Sequence, residues 1–307
     1  MTAQQARYYS LNTFLNERFG ERVQKIALDS GLSCPNRDGT RGQGGCIYCD
    51  ASGSGTGIVD RTPDIKQQVM IGMQAMQHRY GAKKFVAYFQ SFCNTYAPLA
   101  QLQALYEQVV NLPGIVGLSI ATRPDCLSTE VLDLLAGYSE RMMVTLELGL
   151  QSVHDETLER INRGHSYAEF LEGYKLTRRY PLRICPHIII GLPDETAEHV
   201  RGTARELARL KPDGLKIHGL YIHKGTVLEQ EYAQGRFKPI SQDTFVSQAC
   251  DLLEQLWPGT VIERLTSDPL KSLFVAPQWI LNKQAILRSI NLELFQRDTR
   301  QGQFWNG

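Results

Sequence analysis

The chain has 307 residues, enough for one large domain with a substantial core. Its 33 Lys+Arg balance 32 Asp+Glu, so bulk charge drives no association with nucleic acid or membrane, and an RNA partner needs a local patch. No apolar run reaches the roughly 18 residues of a membrane span, the opening Met1-Thr2-Ala3-Gln4-Gln5-Ala6-Arg7 lacks a signal peptide's apolar core, and an odd seven cysteines fit a reducing compartment, so a cytoplasmic location is expected.

Taken in chain order, residues 1–22 read as a helical lead-in and Val23–Leu28 as the first strand. Just past it lies a glycine-rich loop carrying Cys34, Cys46 and Cys49, with no fourth cysteine until Cys93. A closed structural metal site wants four ligands, so three thiolates point to a cluster with one iron left open. The loop is no phosphate cradle, since no GK[ST] follows it. Helix-like and strand-like segments then alternate: Pro63–Tyr80, strand Phe85–Gln90, Leu99–Val110, strand Ile115–Ile120, Thr129–Tyr138 and strand Met143–Gly149. The alternation continues through Asp155–Asn162, Ala168–Arg179, strand Arg183–Ile190, Ala197–Leu210 and strand Leu215–Tyr221. Six strands alternating with helices predict a parallel α/β sheet, either an open doubly wound one or a partial (β/α)6 TIM-type barrel over residues 23–236. Residues 237–307 read as a small C-terminal α/β extension: helix Thr244–Leu256, short strand Thr260–Leu265, helix Trp279–Ile290 and a loosely attached tail, Arg297–Gly307.

Chemistry in parallel α/β folds collects at the C-terminal ends of the strands. The cysteine loop, Gln90-Ser91-Phe92-Cys93, Thr122-Arg123-Pro124-Asp125, Gln151 and Gly191-Leu192-Pro193 all fall at that rim. Strand parity puts Thr145, Glu147 and Gly149 on one face, Cys185, His187 and Ile189 on another, and pairs Lys216 with His218. A buried Glu147 needs a partner, either a ligand or an internal salt bridge to Lys216, and parity leaves both open. Cys93, Cys126 and Cys185 sit near the rim as hydrogen-atom donors, second-cluster ligands or small buried hydrophobes, the last being the commonest fate of a lone cysteine. His218, His223 and Lys224 are candidates for positioning a substrate, and no residue is assigned as catalytic.

These motifs resemble the radical S-adenosylmethionine (SAM) superfamily, and within it the branch of the elongator catalytic subunit and related bacterial proteins. The likeness runs from about Val23 to Tyr221, although the usual C-x3-C-x2-C loop is here C-x11-C-x2-C. The resemblance implies a [4Fe–4S] cluster on Cys34, Cys46 and Cys49, with SAM completing the fourth iron. It places Tyr48 against the adenine and Gln90 at the turn for the methionine amino group. It also gives Gln151 a nucleoside contact, Arg163, twelve positions on, the SAM carboxylate, and Ile189 the adenine flank. Glu147 would supply an acid for the ribose hydroxyls. A guanidinium suits a carboxylate because it donates paired hydrogen bonds; without the resemblance, Arg163 reads as a solvated helix-end cation.

The activity implied is reductive cleavage of SAM, driven by a donor such as a flavodoxin or ferredoxin, to give a 5′-deoxyadenosyl radical that takes hydrogen from a substrate. Branch analogy points to tRNA modification, with Arg37, Arg41 and Lys224 as phosphate contacts and Arg297, Arg300, Phe304 and Trp305 as a further candidate patch. A radical SAM enzyme acting on a small metabolite, and a zinc-stabilised binding protein without catalysis, are the competing expectations. Oligomeric state is not legible in the residues.

Overall fold

The computed structural model describes residues 7–53, 55, 62 and 64–307. Its elements begin α1 (Leu11–Phe19), β1 (Val23–Leu28), α2 (Ile65–Tyr80), β2 (Lys84–Phe89), α3 (Leu99–Val110), β3 (Ile115–Thr122), α4 (Thr129–Ser139) and β4 (Met143–Gln151). Then come α5 (Asp155–Arg160), α6 (Tyr167–Thr177), β5 (Arg183–Ile190), α7 (Ala197–Leu210), β6 (Gly214–Gly219), β7 (Ile222–His223) and α8 (Val227–Ala233). The chain closes with α9 (Gln242–Gln255), β8 (Val261–Arg264), β9 (Phe274–Ala276) and α10 (Lys283–Gln296). The expected lead-in helix is α1; residues 1–6 of that segment, and Pro63 at the expected start of the second helix, lie outside the described residues.

Helix ends follow local chemistry. Ser128 accepts from Val131 N to start α4, Ser166 and Glu169 form a reciprocal capping box on α6, and left-handed Gly20 and Gly81 stop α1 and α2. Seven strands form one parallel sheet in the order β1-β2-β3-β4-β5-β6-β8. Each of the first six lies beside its predecessor, so the order never reverses and the doubly wound alternative falls. The sheet curls as a partial TIM-type barrel. The short strand expected in the C-terminal segment is β8, which pairs with β6 through Gly214↔Val261 and Leu215↔Ile262 as the seventh strand.

Strand β4 is buried along its whole length except Gln151, as parallel strands covered on both faces are. Leu146, Leu148 and Leu150 join the main apolar core beneath the helices, each contributing about 1.5–3 kcal/mol by burial. The opposite face carries Thr145, Glu147 and Gly149 into the barrel. There Glu147 accepts from Lys25 Nζ on β1 (2.7 Å), from His187 Nε2 on β5 (2.9 Å) and from Lys216 Nζ on β6. Lys25 continues to Glu263 on β8 (2.6 Å), joining the barrel's first and last strands by charge. The free edge of β8 is further covered by the segment before α1, where Ile262 N donates to Tyr9 O (2.7 Å).

The tail differs from expectation. Gln301 N donates to Arg7 O (2.9 Å), Gly302 N to Leu253 O (3.0 Å) and Phe304 N to Glu254 O (2.8 Å). The Gln301 side chain donates to Thr260 O (2.8 Å), and Lys211 lies over the Trp305 ring. Backbone groups that loose ends leave to water are paired here, so the tail is docked. No described helix is long and apolar enough to cross a membrane.

Acid should loosen this barrel from within. Burial and the Lys216 cation, against the pull of Glu147, bring His187 down to about 4 from 6.5, so between those pH values the unfolded chain binds a proton that the native chain refuses. Burial works against the Glu147 carboxylate, yet Lys216, Lys25 and His187 outweigh it and keep the group charged well below 4.5. Both effects make stability rise with pH. Thermal unfolding should therefore show a loss on the order of 3 kcal/mol from His187 between neutral pH and about pH 4, steepening below 4.5, where the unfolded chain's glutamate binds a proton that native Glu147 refuses. A melting temperature unchanged across that range would contradict the network's role.

Candidate active site

The cysteine loop is held by its own turns. Asp38 and Gln43 bridge antiparallel, Gly39 N donates to Gly42 O (3.1 Å), and Arg41 N donates to Pro35 O (2.9 Å). Gly44 and Gly45 then reverse the chain at φ of 76° and 80°, a region costly to residues with a Cβ. The long gap thereby folds away, and Cys46 returns beside Asn36, whose Nδ2 lies 3.8 Å from Cys46 Sγ. Cys49 N donates to Cys46 O (2.9 Å), so the last two thiols share one tight turn with Tyr48 between them. The loop is tied to the turn after α5: Asn36 Nδ2 donates to Asn162 O (2.7 Å), Asn162 Nδ2 to Gly45 O (2.7 Å), and Ile47 N to Ile161 O (3.1 Å).

All three thiols line one cavity of about 420 Å³ at the C-terminal rim. Tyr48, Gln90, Glu147, Gln151, Arg163 and Ile189 line it too, so the structure gathers every residue expected in the cofactor site. Gln151 ends β4 at φ 76°, a left-handed conformation uncommon outside glycine that concentrates at functional sites.

Two buried guanidinia stand behind the thiols. Arg163 is buried, not the solvated helix-end cation that local sequence suggests; its Nη2 donates to Gly149 O (2.6 Å) and its Nη1 lies 3.8 Å from Cys46 Sγ. Its Nε is buried with no hydrogen-bond partner among the described residues. A side chain at Gly149 would collide with Arg163, which explains the glycine. Arg123, only 2% exposed, grips Asp125 through two 2.9 Å bonds and donates to Arg163 O (2.8 Å) and Gly164 O (3.1 Å). His165 sets Nε2 3.1 Å from Gly149 O and Nδ1 3.1 Å from Ser166 O, two carbonyl acceptors of which its tautomer selects the one that receives the N–H. Burial, then the Arg163 and Arg123 cations, push His165 down to about 3, so it is neutral.

The thiols' surroundings test what they can hold. Burial pushes Cys34 up, opposed by Arg123 and Arg163, and burial with the neighbouring Cys46 pushes Cys49 up to about 11 despite Arg37. A metal centre binding here would release protons, as thiolate ligation requires. Among the described residues no three His, Cys, Asp or Glu side chains converge where a single ion would sit. Three thiols around one cavity, backed by cations, are donors of the kind an iron–sulfur cluster takes.

Other expectations fall out differently. The Glu147–Lys216 ion pair weighed against a ribose contact is present, and both Glu147 oxygens accept from protein donors. Cys185 is fully buried among Lys25, Lys216 and Glu263, away from Cys93 and Cys126, so the three do not form one ligand set. Arg37 is committed to Cys49 O and Asp50 O, and Arg41 to Asp125 and Glu169, whereas Lys224 is exposed. Arg297 is tied to Asp251, Glu254 and Glu293 rather than offered to a partner. Sequence reasoning missed Arg123 as a site residue; an Arg-Pro-Asp run closing a strand at the rim was the available signal. It also missed the buried pair of His223 Nδ1 and Asp50 Oδ2 (2.5 Å), whose members are distant in sequence.

Comparison with known proteins places this geometry. Residues 37–207 match the Radical SAM superfamily model and residues 212–296 the Radical_SAM C-terminal domain. The chain is 43% identical to YtqA of Bacillus subtilis over 299 residues, covering 97% of this chain and 93% of that protein. It is 32% identical to a tRNA uridine(34) acetyltransferase of Dehalococcoides mccartyi over 165 residues, but spans only 35% of that protein's length. An archaeal Elp3 structure from Methanocaldococcus infernus superposes with a TM-score of 0.70 at 16% identity, over 91% of this chain and 64% of that one.

The Arg123–Asp125 clasp gives a direct check. Arg123→Ala leaves a nearly buried Asp125 carboxylate without its fork and should cost about 3–5 kcal/mol in urea unfolding. A loss within about 0.5 kcal/mol, the range of ordinary surface changes, would mean that the clasp is not structural.

Proposed function

The chain belongs to the radical SAM superfamily of enzymes, and from that premise we propose that it holds a [4Fe–4S] cluster on Cys34, Cys46 and Cys49, binds SAM in the adjoining cavity and modifies tRNA. The observation that carries the reading is the single cavity lined by three thiols and by the residues expected for SAM. When bound, the cluster and SAM supply one-electron cleavage of a sulfur–carbon bond and a radical able to take hydrogen from an unactivated carbon. The protein's part is positioning. Arg163, with its unpartnered buried Nε, is suited to a carboxylate, and Tyr48 and Ile189 offer apolar flanks for a planar base. Gln151, at a left-handed backbone position, and Gln90 offer amide hydrogen bonds from the ends of β4 and β2. A flavodoxin or ferredoxin is the electron donor in this reading.

The tRNA assignment is supported by the relative whose name is a tRNA uridine(34) acetyltransferase and by the Elp3-like fold. Balanced charge and the internal commitment of Arg37 and Arg41 leave Lys224, just beyond β6, as an exposed candidate cation. The same features favour a small-metabolite substrate as the second reading.

Anaerobically reconstituted protein should bind about four irons and four sulfides and form 5′-deoxyadenosine when reduced with SAM. Alanine at Cys34, Cys46 or Cys49 should abolish this, while Cys250→Ala, far from the cavity, should not. Stoichiometric zinc without iron would sink the reading. Arg163→Ala and Gln151→Ala should weaken SAM binding by about 1.5–3 kcal/mol with iron content retained, as for a lost charge-assisted hydrogen bond.

For the substrate, nucleosides of tRNA from anaerobic cells with and without the protein should differ at one modified base. Identical profiles with an accumulating metabolite would favour the small-molecule reading instead. Lys224→Glu should weaken tRNA retention and flatten its salt dependence while leaving SAM cleavage without substrate unchanged.

A further inference from the structure

One end of the cavity is not taken by the residues matched to SAM. Those residues stand on the cysteine loop, on the turn after α5 and at β2, β4 and β5, whereas His218 on β6 and Arg264 on β8 line the same space from the far side of the sheet order. Arg264 is brought there by a fault in the ladder. Strand β8 follows β6 through Gly214↔Val261 and Leu215↔Ile262, then skips Glu263 and pairs Lys216 with Arg264. Such a bulge sets two residues against one and re-aims a side chain. Glu263 reaches Lys25 (2.6 Å), and the next residue, Arg264, faces the cavity as well.

Charge sets this arginine apart. Lys25 and Lys216 are matched by Glu147 and Glu263, so Arg264 is an added cation beside a balanced network. Its ion-pair partner among the described residues is Asp268 Oδ2 at 3.8 Å, and Lys283 Nζ already holds that oxygen at 2.7 Å. The Arg264 guanidinium donates no hydrogen bond among the described residues, although its side chain is only 27% exposed. Five N–H donors in a partly enclosed space call for an acceptor. On the neighbouring strand, His218 Nε2 is buried and also has no hydrogen-bond partner among the described residues. Burial, then His187 and the Arg264 and Lys216 cations, hold His218 well below 6.5, so its ring is neutral.

We propose that the β6–β8 end of the cavity is the substrate subsite and that it binds an oxyanion, a carboxylate or a phosphate, carried by a small molecule. The Arg264 fork takes two of the anion's oxygens, the geometry in which a guanidinium binds such groups best, and His218 Nε2 donates to it. This deepens the small-metabolite reading and rests on SAM filling the other end. A base turned in from tRNA would instead set an uncharged ring against Arg264.

The test titrates the full chain, without iron or SAM, with succinate and separately with inorganic phosphate, followed by calorimetry. The expected result is one saturable site for at least one probe, and the probe that binds tells carboxylate from phosphate. Arg264→Gln should weaken that binding by about tenfold or more, as for a lost charged hydrogen bond. Asp268→Asn, which removes the competing carboxylate, should tighten it by about two- to fivefold. Loss in one variant with gain in the other is a pattern that misfolding does not produce. No saturable heat from either probe, equal affinity in wild type and Arg264→Gln, or loss confined to Arg163→Ala would overturn the proposal. The first of these, with tRNA retention lowered in Arg264→Gln, would give the subsite to RNA. Cofactors are absent from the titration, so its failure is distinct from a failure of SAM cleavage.

Discussion

A barrel that stops at seven strands must close its seam without a continuous hydrogen-bond ladder, and here a buried chain of charges does so. Lys25 on β1 bridges to Glu263 on β8 and to Glu147 on β4, while Lys216 and His187 complete the shell of Glu147. The two acids and two lysines balance within this network, with Arg264 a further cation beside it. Buried ions are expensive to desolvate, so such a network adds less to stability than its short distances suggest. Its effect is to fix which strand faces which, since a one-residue slip in β4 would turn Glu147 into the apolar layer and a leucine into the barrel.

With the floor fixed in this way, the rim is built from turns that each leave a strand in register. The cysteine loop rests on the turn after α5 through the reciprocal Asn36 and Asn162 amides. Arg123, reaching across from β3, holds that same turn through two carbonyl oxygens. Arg163, in the turn itself, is aimed by Gly149 O at the end of β4. Three strands thus converge on the cysteines through side-chain donors held on backbone carbonyl oxygens. Positive charge is delivered where thiolates, and a metal centre on them, would carry negative charge.

Much of this was legible in the residues. The short apolar runs located the strands to within a few positions, and parity put Thr145, Glu147 and Gly149 on one face, which the structure turns into the barrel with the leucines outside. What parity could not settle was Glu147's partner, because Lys25, Lys216 and His187 come from strands far apart in sequence. Arg163 looks solvated because Asn-Arg-Gly after a short acidic helix is ordinary surface sequence; its burial depends on a loop more than a hundred residues earlier folding over it. The tail misled for a similar reason. Its polar composition reads as frayed, yet those same polar groups, Gln301 above all, pair with carbonyl oxygens of the turn before β8. The eleven-residue cysteine gap reads as a departure from the usual loop, and only the internal turns of residues 38–45 bring its ends together.

In the proposed centre, Cys34, Cys46 and Cys49 would leave one iron of the cluster open to SAM. The electron paramagnetic resonance spectrum of the dithionite-reduced, reconstituted protein, recorded with and without SAM, bears on it most directly. The expected result is a [4Fe–4S]⁺ signal whose g values shift when SAM is added, with a much smaller shift in Arg163→Ala at the same SAM concentration. A cluster signal unchanged by saturating SAM would contradict an open iron in this cavity.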